Sequence, residues 1–374
     1  MSREYANRFV GMPIGCRAWH SRSMPQITIL PSRQRFVADP LESVLAAALR
    51  AGLNLPHSCK GGHCASCRAH VLAGSCAYPG ERPAGITAQE AQAGHVLLCQ
   101  VRALTDLTVE AREMRPAPDV EVKSLPCRID RMERLADDVM SVSLRLPAVE
   151  ELHFRAGQYL DVMLSEGRRR SFSIASAPAD GRLIELHVRR ASTAGFTGQL
   201  FDSLRVGTLL RVEGPLGQFW FHGESPRPAV MIGGGTGYAP LRAMLRQLLA
   251  TGDRRPLTLY WGARTRGDLY EDRWLRDLAA SRPGFHYRPV LSDPGVGMQS
   301  PAVQFGLVHE AVLGDNADFA NLDVYASGPP AMVEAVRATF PAHGLPREQL
   351  YFDSFDYAPD TLARMQASQA GPRG

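Results

Sequence analysis

Cys59, Cys64 and Cys67 follow a C-x4-C-x2-C spacing, and Cys99 follows after thirty-one intervening residues. Four thiolates so placed can converge on two irons, each of which needs a tetrahedral sulfur shell. The spacing is the plant-type one for a 2Fe-2S centre. Three ligands from one short loop require a backbone that can fold around the inorganic core. Gly61 and Gly62 supply that freedom, and Ala65 and Ser66 are small enough to leave room. Structural zinc or unligated thiols are the competing readings, but zinc sites normally pair two C-x2-C knuckles and there is one here. Cys16, Cys76 and Cys127 lack matching partners and read as small buried or surface residues.

Two further segments could hold phosphorylated groups. Gly233, Gly234, Gly235, Thr236 and Gly237 lie between the apolar run 229–232 and a helical pattern over 241–250. Glycines there let the backbone approach a pyrophosphate, and a helix N-terminus presents unpaired N–H groups to it. Pro240 fits the first helical turn. A structural turn is the competing reading, since the G-x-G-x-x-G fingerprint is incomplete. In Arg168-Arg169-Arg170-Ser171-Phe172-Ser173 an arginine is followed two residues later by an aromatic and then by serine. Taken alone, that run reads as a solvated basic turn.

The run from His57 to Cys67 resembles the cluster loop of plant-type ferredoxins, with Ala65 where glycine is usual. The Arg170, Phe172 and Ser173 pattern resembles the R-x-[YF]-S flavin motif of the ferredoxin–NAD(P)+ reductase superfamily. The resemblance implies that Arg170 pairs with the FAD pyrophosphate, as suits a guanidinium. It implies too that Phe172 packs on the isoalloxazine and that Ser173 hydrogen-bonds near flavin N5. His187, Val188, Arg189 and Thr197 match the second flavin-binding stretch, with Thr193-Ala194 in place of a common Gly-Gly pair. Gly214-Pro215-Leu216-Gly217-Gln218-Phe219 matches the turn that ends the flavin barrel.

Further on, the stretch from Tyr260 to Tyr270 resembles the second strand and loop of the superfamily's nucleotide domain. Ser327, Gly328 and Pro329 open a segment like the C-G-P-P-x-M motif that faces the nicotinamide, with Ser327 in place of cysteine. Near the end, Asp353 and Phe355 resemble a terminal acidic and aromatic stretch that lies near the flavin. By resemblance, Ser173, Ser327, Asp353 and Phe355 form the catalytic group. Asp353 would assist proton exchange if burial raises its pKa. A solvated or capping aspartate is the alternative.

These groups need three kinds of scaffold. Residues 26–113 alternate at Ile27 and Ile29, carry a short amphipathic helix over 41–53, and alternate again over 101–109. Residues 114–120 form a proline-containing linker. Short alternating runs at 140–146, 159–164, 184–188 and 209–212 predict an antiparallel barrel over 121–224. From 225 to 357, strands and helices alternate, as in a doubly wound parallel sheet. Residues 1–25 and 358–374 read as tails. The expected fold is thus multi-domain, α+β and α/β: a β-grasp 2Fe-2S ferredoxin unit by resemblance, an FAD barrel, and an NAD(P) domain.

The chain of 374 residues is 45% hydrophobic and 21% charged, with a formal net charge of +4. Each unit can bury a core. Nothing resembles a basic stripe with interleaved aromatics, so nucleic acid is not expected as a partner. No run approaches the roughly 18 apolar residues of a membrane span, and no signal peptide is evident. A cytoplasmic protein is expected, in which seven cysteines do not form a disulfide framework.

The order cluster, flavin, nicotinamide resembles reductase components of bacterial oxygenases and the CDP-6-deoxy-Δ3,4-glucoseen reductases. It implies hydride transfer from NAD(P)H to FAD, then single electrons through the cluster to a redox partner protein docked on the ferredoxin unit. NADH is favoured over NADPH, although Arg264 and Arg266 could meet a 2′-phosphate. The rival enzymatic reading is a flavin or ferric reductase acting on small acceptors.

Overall fold

The computed structural model describes residues 24–53, 55–57, 60–62, 67–83, 85–111, 120–164, 168–193, 195–293 and 303–355. Its first unit contains β1 (Gln26–Leu30), β2 (Gln34–Val37), α1 (Val44–Arg50), β3 (Arg68–Ala73), β4 (Cys76–Ala77), α2 (Ala88–Gln92), β5 (His95–Leu97), β6 (Arg102–Ala103) and β7 (Leu107–Glu110). The main sheet runs β2-β1-β7-β3-β5, with β1 and β7 parallel. Val44, Leu45, Ala47 and Ala48 of α1 join a core that also takes in Ile27, Ile29, Leu97 and Val109.

The helix is shorter than the 41–53 expected. The Ser43 hydroxyl caps it by accepting the Ala46 N–H at 3.2 Å, and the Asp39 carboxylate holds the Leu41 N–H in the turn before it. The alternating run 101–109 is two strands, because Leu104 donates to the Ser75 carbonyl and turns the chain between β6 and β7.

The second unit contains β8 (Lys123–Ala136), β9 (Val139–Arg145), β10 (Tyr159–Met163), β11 (Arg169–Ser173), β12 (Leu183–Arg189), α3 (Gly195–Asp202) and β13 (Leu209–Leu216). They form an antiparallel sheet in the order β11-β10-β13-β8-β9-β12. A single bridge, Ile174 to Leu186, joins its two ends into a barrel. Ile129, Leu144, Leu160, Ile174 and Val188 fill the interior.

The third unit contains β14 (Ala229–Gly234), α4 (Tyr238–Thr251), β15 (Leu257–Ala263), α5 (Asp272–Ser281), β16 (Phe285–Leu291), β17 (Gln304–Phe305), α6 (Val308–Asp315), β18 (Asp323–Gly328), α7 (Pro330–Thr339) and β19 (Leu350–Ser354). The sheet is parallel throughout, in the order β17-β16-β15-β14-β18-β19. Alternation along β14 serves both faces. Met231 packs with Leu241 and Leu245 of α4 and Leu275 of α5. Val230 and Ile232 pack with Val312 of α6 and Val336 of α7. Each such burial contributes roughly 1.5–3 kcal/mol, and a strand covered on both sides reads as a continuous apolar run. Among the described residues, no helix is long and apolar enough to cross a membrane.

Candidate functional site

Two of the four cysteines expected to hold the cluster can be placed. Cys67 and Cys99 are both buried, and the Cys99 N–H points at the Cys67 sulfur from 3.5 Å. Cys59 and Cys64 lie outside the described residues. Gly62, with φ +84°, backs the loop. A Cβ there would meet Gln100 Cγ at 2.8 Å and Pro83 Cβ at 2.9 Å. A buried cysteine sulfur that accepts from the backbone of a second buried cysteine, beside a tightly backed loop, fits an iron–sulfur group. Cys127 is buried in the barrel, where burial pushes its thiol up to about 12. It is a small residue of the barrel core, and Cys16 lies outside the described residues.

The flavin-motif residues lie on β11, at the seam where the barrel closes. Arg170 and Phe172 are half-buried on one face of the strand, and Ser173 is buried. Phe172 packs at 5.8 Å on Phe196 of α3, whose first turn also carries the half-buried Thr197. Across the seam lies β12. The side chain of Val188 faces the barrel interior. His187 and Arg189 point the other way, towards the third unit. The His187 ring shares a hydrogen bond of 3.1 Å with the Tyr270 hydroxyl and one of 3.3 Å with Glu185. The Arg189 guanidinium lies 3.5 Å from Asp138 and 3.6 Å from Asp268, and a Cβ on Gly235 would sit 3.4 Å from it.

The nucleotide-motif residues gather at the carboxyl ends of β14, β18 and β19. Adjacent strands there run to opposite sides of β14, which is where open parallel sheets take ligands. Gly233, Ser327 and Asp353 are neighbours across the three strands. Both side chains are buried, and the Ser327 hydroxyl has no hydrogen-bond partner among the described residues. The Phe355 N–H donates to the Gly328 carbonyl at 2.9 Å, which keeps Phe355 beside the Gly328-Pro329 turn. Gly235, Thr236 and Gly237 form a tight turn into α4. A Cβ at Gly237 would lie 2.0 Å from the Ser327 carbonyl oxygen, so only glycine fits. The indole of Trp261 donates to the Gly235 carbonyl at 2.9 Å and stacks on Tyr238 at 4.0 Å. A half-buried glycine turn at a helix start, held from behind, suits a diphosphate.

Sequence reasoning missed a polar junction between barrel and third unit. Arg242 of α4 is buried. Its Nε donates to Glu271 at 2.9 Å, and its Nη1 donates to the Ala175 carbonyl and to Glu185, each at 2.9 Å. Tyr238 donates to Glu271 at 2.5 Å, and Ser141 to Glu185 at 2.8 Å. Burial alone would raise the Glu185 carboxyl, but the His187 hydrogen bond and the Arg242 charge outweigh it and hold it far below the usual range. Burial first, then the Glu271 charge, pushes the Tyr238 and Tyr270 hydroxyls well above their ordinary values, so both stay neutral. The available signal was an arginine inside the apolar run Leu241-Arg242-Ala243-Met244-Leu245.

Comparison with known proteins follows the same three parts. The 2Fe-2S iron-sulfur cluster binding domain matches residues 27–104, the oxidoreductase FAD-binding domain 126–221, and the oxidoreductase NAD-binding domain 231–338. The CDP-6-deoxy-L-threo-D-glycero-4-hexulose-3-dehydrase reductase of Yersinia pestis is 34% identical, over 88% of this chain and 98% of that one. The propane 2-monooxygenase reductase component of Mycolicibacterium goodii is 33% identical, over 84% and 92%. Among solved structures, the Amycolatopsis cytochrome P450 reductase GcoB is 32% identical, with a TM-score of 0.69 over 88% of this chain and 98% of that one.

Proposed function

This chain belongs to the NAD(P)H-dependent iron–sulfur flavoprotein reductases, which pass electrons through FAD and a 2Fe-2S cluster to a partner, and we propose that its partner is a dehydrase or oxygenase component docking on the ferredoxin unit. The contact of the Cys99 N–H with the Cys67 sulfur supports that reading most, because it brings two of the expected cluster ligands together within the first unit. When bound, the flavin takes two electrons with a hydride and releases them singly, which neither nicotinamide nor cluster can do alone.

The chain's own residues supply position and charge. Arg170 offers the FAD diphosphate a guanidinium. Phe172, steadied by Phe196, offers an aromatic face, and Ser173 a hydroxyl at the seam. His187 and Val188 contribute through their backbone, since their side chains are committed to Tyr270 and to the barrel core. The Ser327 hydroxyl, unpaired among the described residues, is the candidate partner of the nicotinamide, and Asp353 beside it is the candidate for proton exchange. NADH is the proposed donor. The likeness of the stretch from Gly262 to Tyr270 to NADH-using members of the superfamily supports that choice; the Asp268 carboxylate, buried in the turn after β15, is itself engaged by the Thr265 N–H and hydroxyl, each at 3.0 Å.

Replacing Cys99 by alanine tests the proposal. NADH should still bleach the flavin and reduce ferricyanide at near wild-type rates. Reduction of cytochrome c, used as a stand-in protein acceptor, should fall to near background. Undiminished cytochrome c reduction would instead support a flavin reductase serving small acceptors.

A further inference from the structure

Arg242 lies five residues beyond Gly237, in the helix that starts from the nucleotide turn. Its Nη1 reaches the carbonyl of Ala175, two residues beyond Ser173 of the flavin motif. One guanidinium therefore ties together the two segments expected to hold the two reacting cofactors. We infer that Arg242 is a positioning residue of the hydride step, acting with Glu185 and Glu271 to fix the nucleotide turn against the barrel seam. The inference rests on the reductase reading above.

The wiring on each side of Arg242 is continuous. On the barrel side, Glu185 accepts from Arg242 and from Ser141. The next two polar side chains along that face of β12, His187 and Arg189, meet Tyr270 and Asp268 of the third unit. The Ala175 N–H donates to the Glu185 carbonyl at 2.7 Å, so strand, seam and guanidinium form one unit. On the nucleotide side, Glu271 accepts from Arg242 and from Tyr238, the first residue of α4. Tyr238 stacks on Trp261, whose indole holds the Gly235 carbonyl. A shift of Arg242 would thus be felt by the turn itself. Hydride transfer is sensitive to such shifts, because a misplacement of roughly 1 Å can cost about 100-fold in rate.

A lysine at 242 keeps the charge but has a single nitrogen. It cannot span Glu271 on one side and Glu185 with Ala175 on the other. Rapid mixing with NADH under anaerobic conditions separates position from affinity and from folding. In Arg242→Met the limiting rate of flavin bleaching should fall at least about tenfold, with the half-saturating NADH concentration changed less than about threefold. Arg242→Lys should fall between Met and wild type, and Glu185→Gln between Lys and wild type. All three should keep wild-type flavin content, and the isotope effect with 4-deuterated NADH should increase.

A limiting rate that stays at the wild-type value, or falls only as flavin content falls, overturns the inference. If Arg242→Met does not fold, the Lys and Gln variants decide by the same criteria. Wild-type protein that NADH does not bleach overturns the reductase reading and this inference with it. Normal bleaching by wild type and by every variant overturns this inference alone.

Discussion

Arg170 and Phe172 stand half-buried on an end strand of the barrel, while Gly237 is wedged against the Ser327 carbonyl with no room for a methyl group. On the proposed reading, the flavin motif on β11 meets its ligand with the side chains of Arg170, Phe172 and Ser173, whereas the glycine turn would meet a diphosphate with backbone that also packs against the end of β18. Ligand affinity and fold stability can therefore be altered separately in the barrel, whereas in the nucleotide turn they change together.

The largest expected effect tests the nucleotide side. Gly237→Ala forces a Cβ to within 2.0 Å of the Ser327 carbonyl oxygen, and the turn cannot yield without pulling the start of α4 away from the end of β18. A loss of about 3 kcal/mol or more is expected by urea unfolding, together with loss of NADH binding. An alanine variant of wild-type stability would show that the turn is looser than its packing implies. Arg170→Ala tests the barrel side. Titration of apoprotein should give FAD affinity weaker by about 10- to 100-fold, the worth of a charge-assisted hydrogen bond. Apoprotein stability should change by less than about 0.5 kcal/mol, as usual for a partly exposed residue. A large drop in stability would erase the contrast. The smallest effect is at Ser327. Its hydroxyl is buried and unpaired among the described residues, so Ser327→Ala should be neutral or stabilising by up to about 1 kcal/mol in thermal melting. A marked loss of stability would mean that the hydroxyl already has a partner in the folded protein.

The parts built on short-range rules were legible in the sequence. The cysteine spacing, the glycine turn before α4 and the alternation of β9, β10 and β12 all depend on neighbours in the chain. Strand β8 was not legible, because Pro126 and five charged residues between Arg128 and Arg134 obscure the buried series Leu125, Cys127, Ile129. The junction at Arg242 was hidden for another reason. Glu185, His187 and Arg189 alternate as any solvent-facing edge would, and periodicity cannot distinguish water from a second domain. Only the fold shows that this polar face is covered.

The core of the first unit has a wider consequence. Its buried side chains, from Ile27 to Ala111, come from one continuous stretch of chain. A segment that closes its own interior can be transplanted, fused elsewhere in a gene or exchanged for another electron carrier, while the barrel and nucleotide unit remain locked to each other by charge. Evolution could then vary the recipient of the electrons without rebuilding the machinery that collects them.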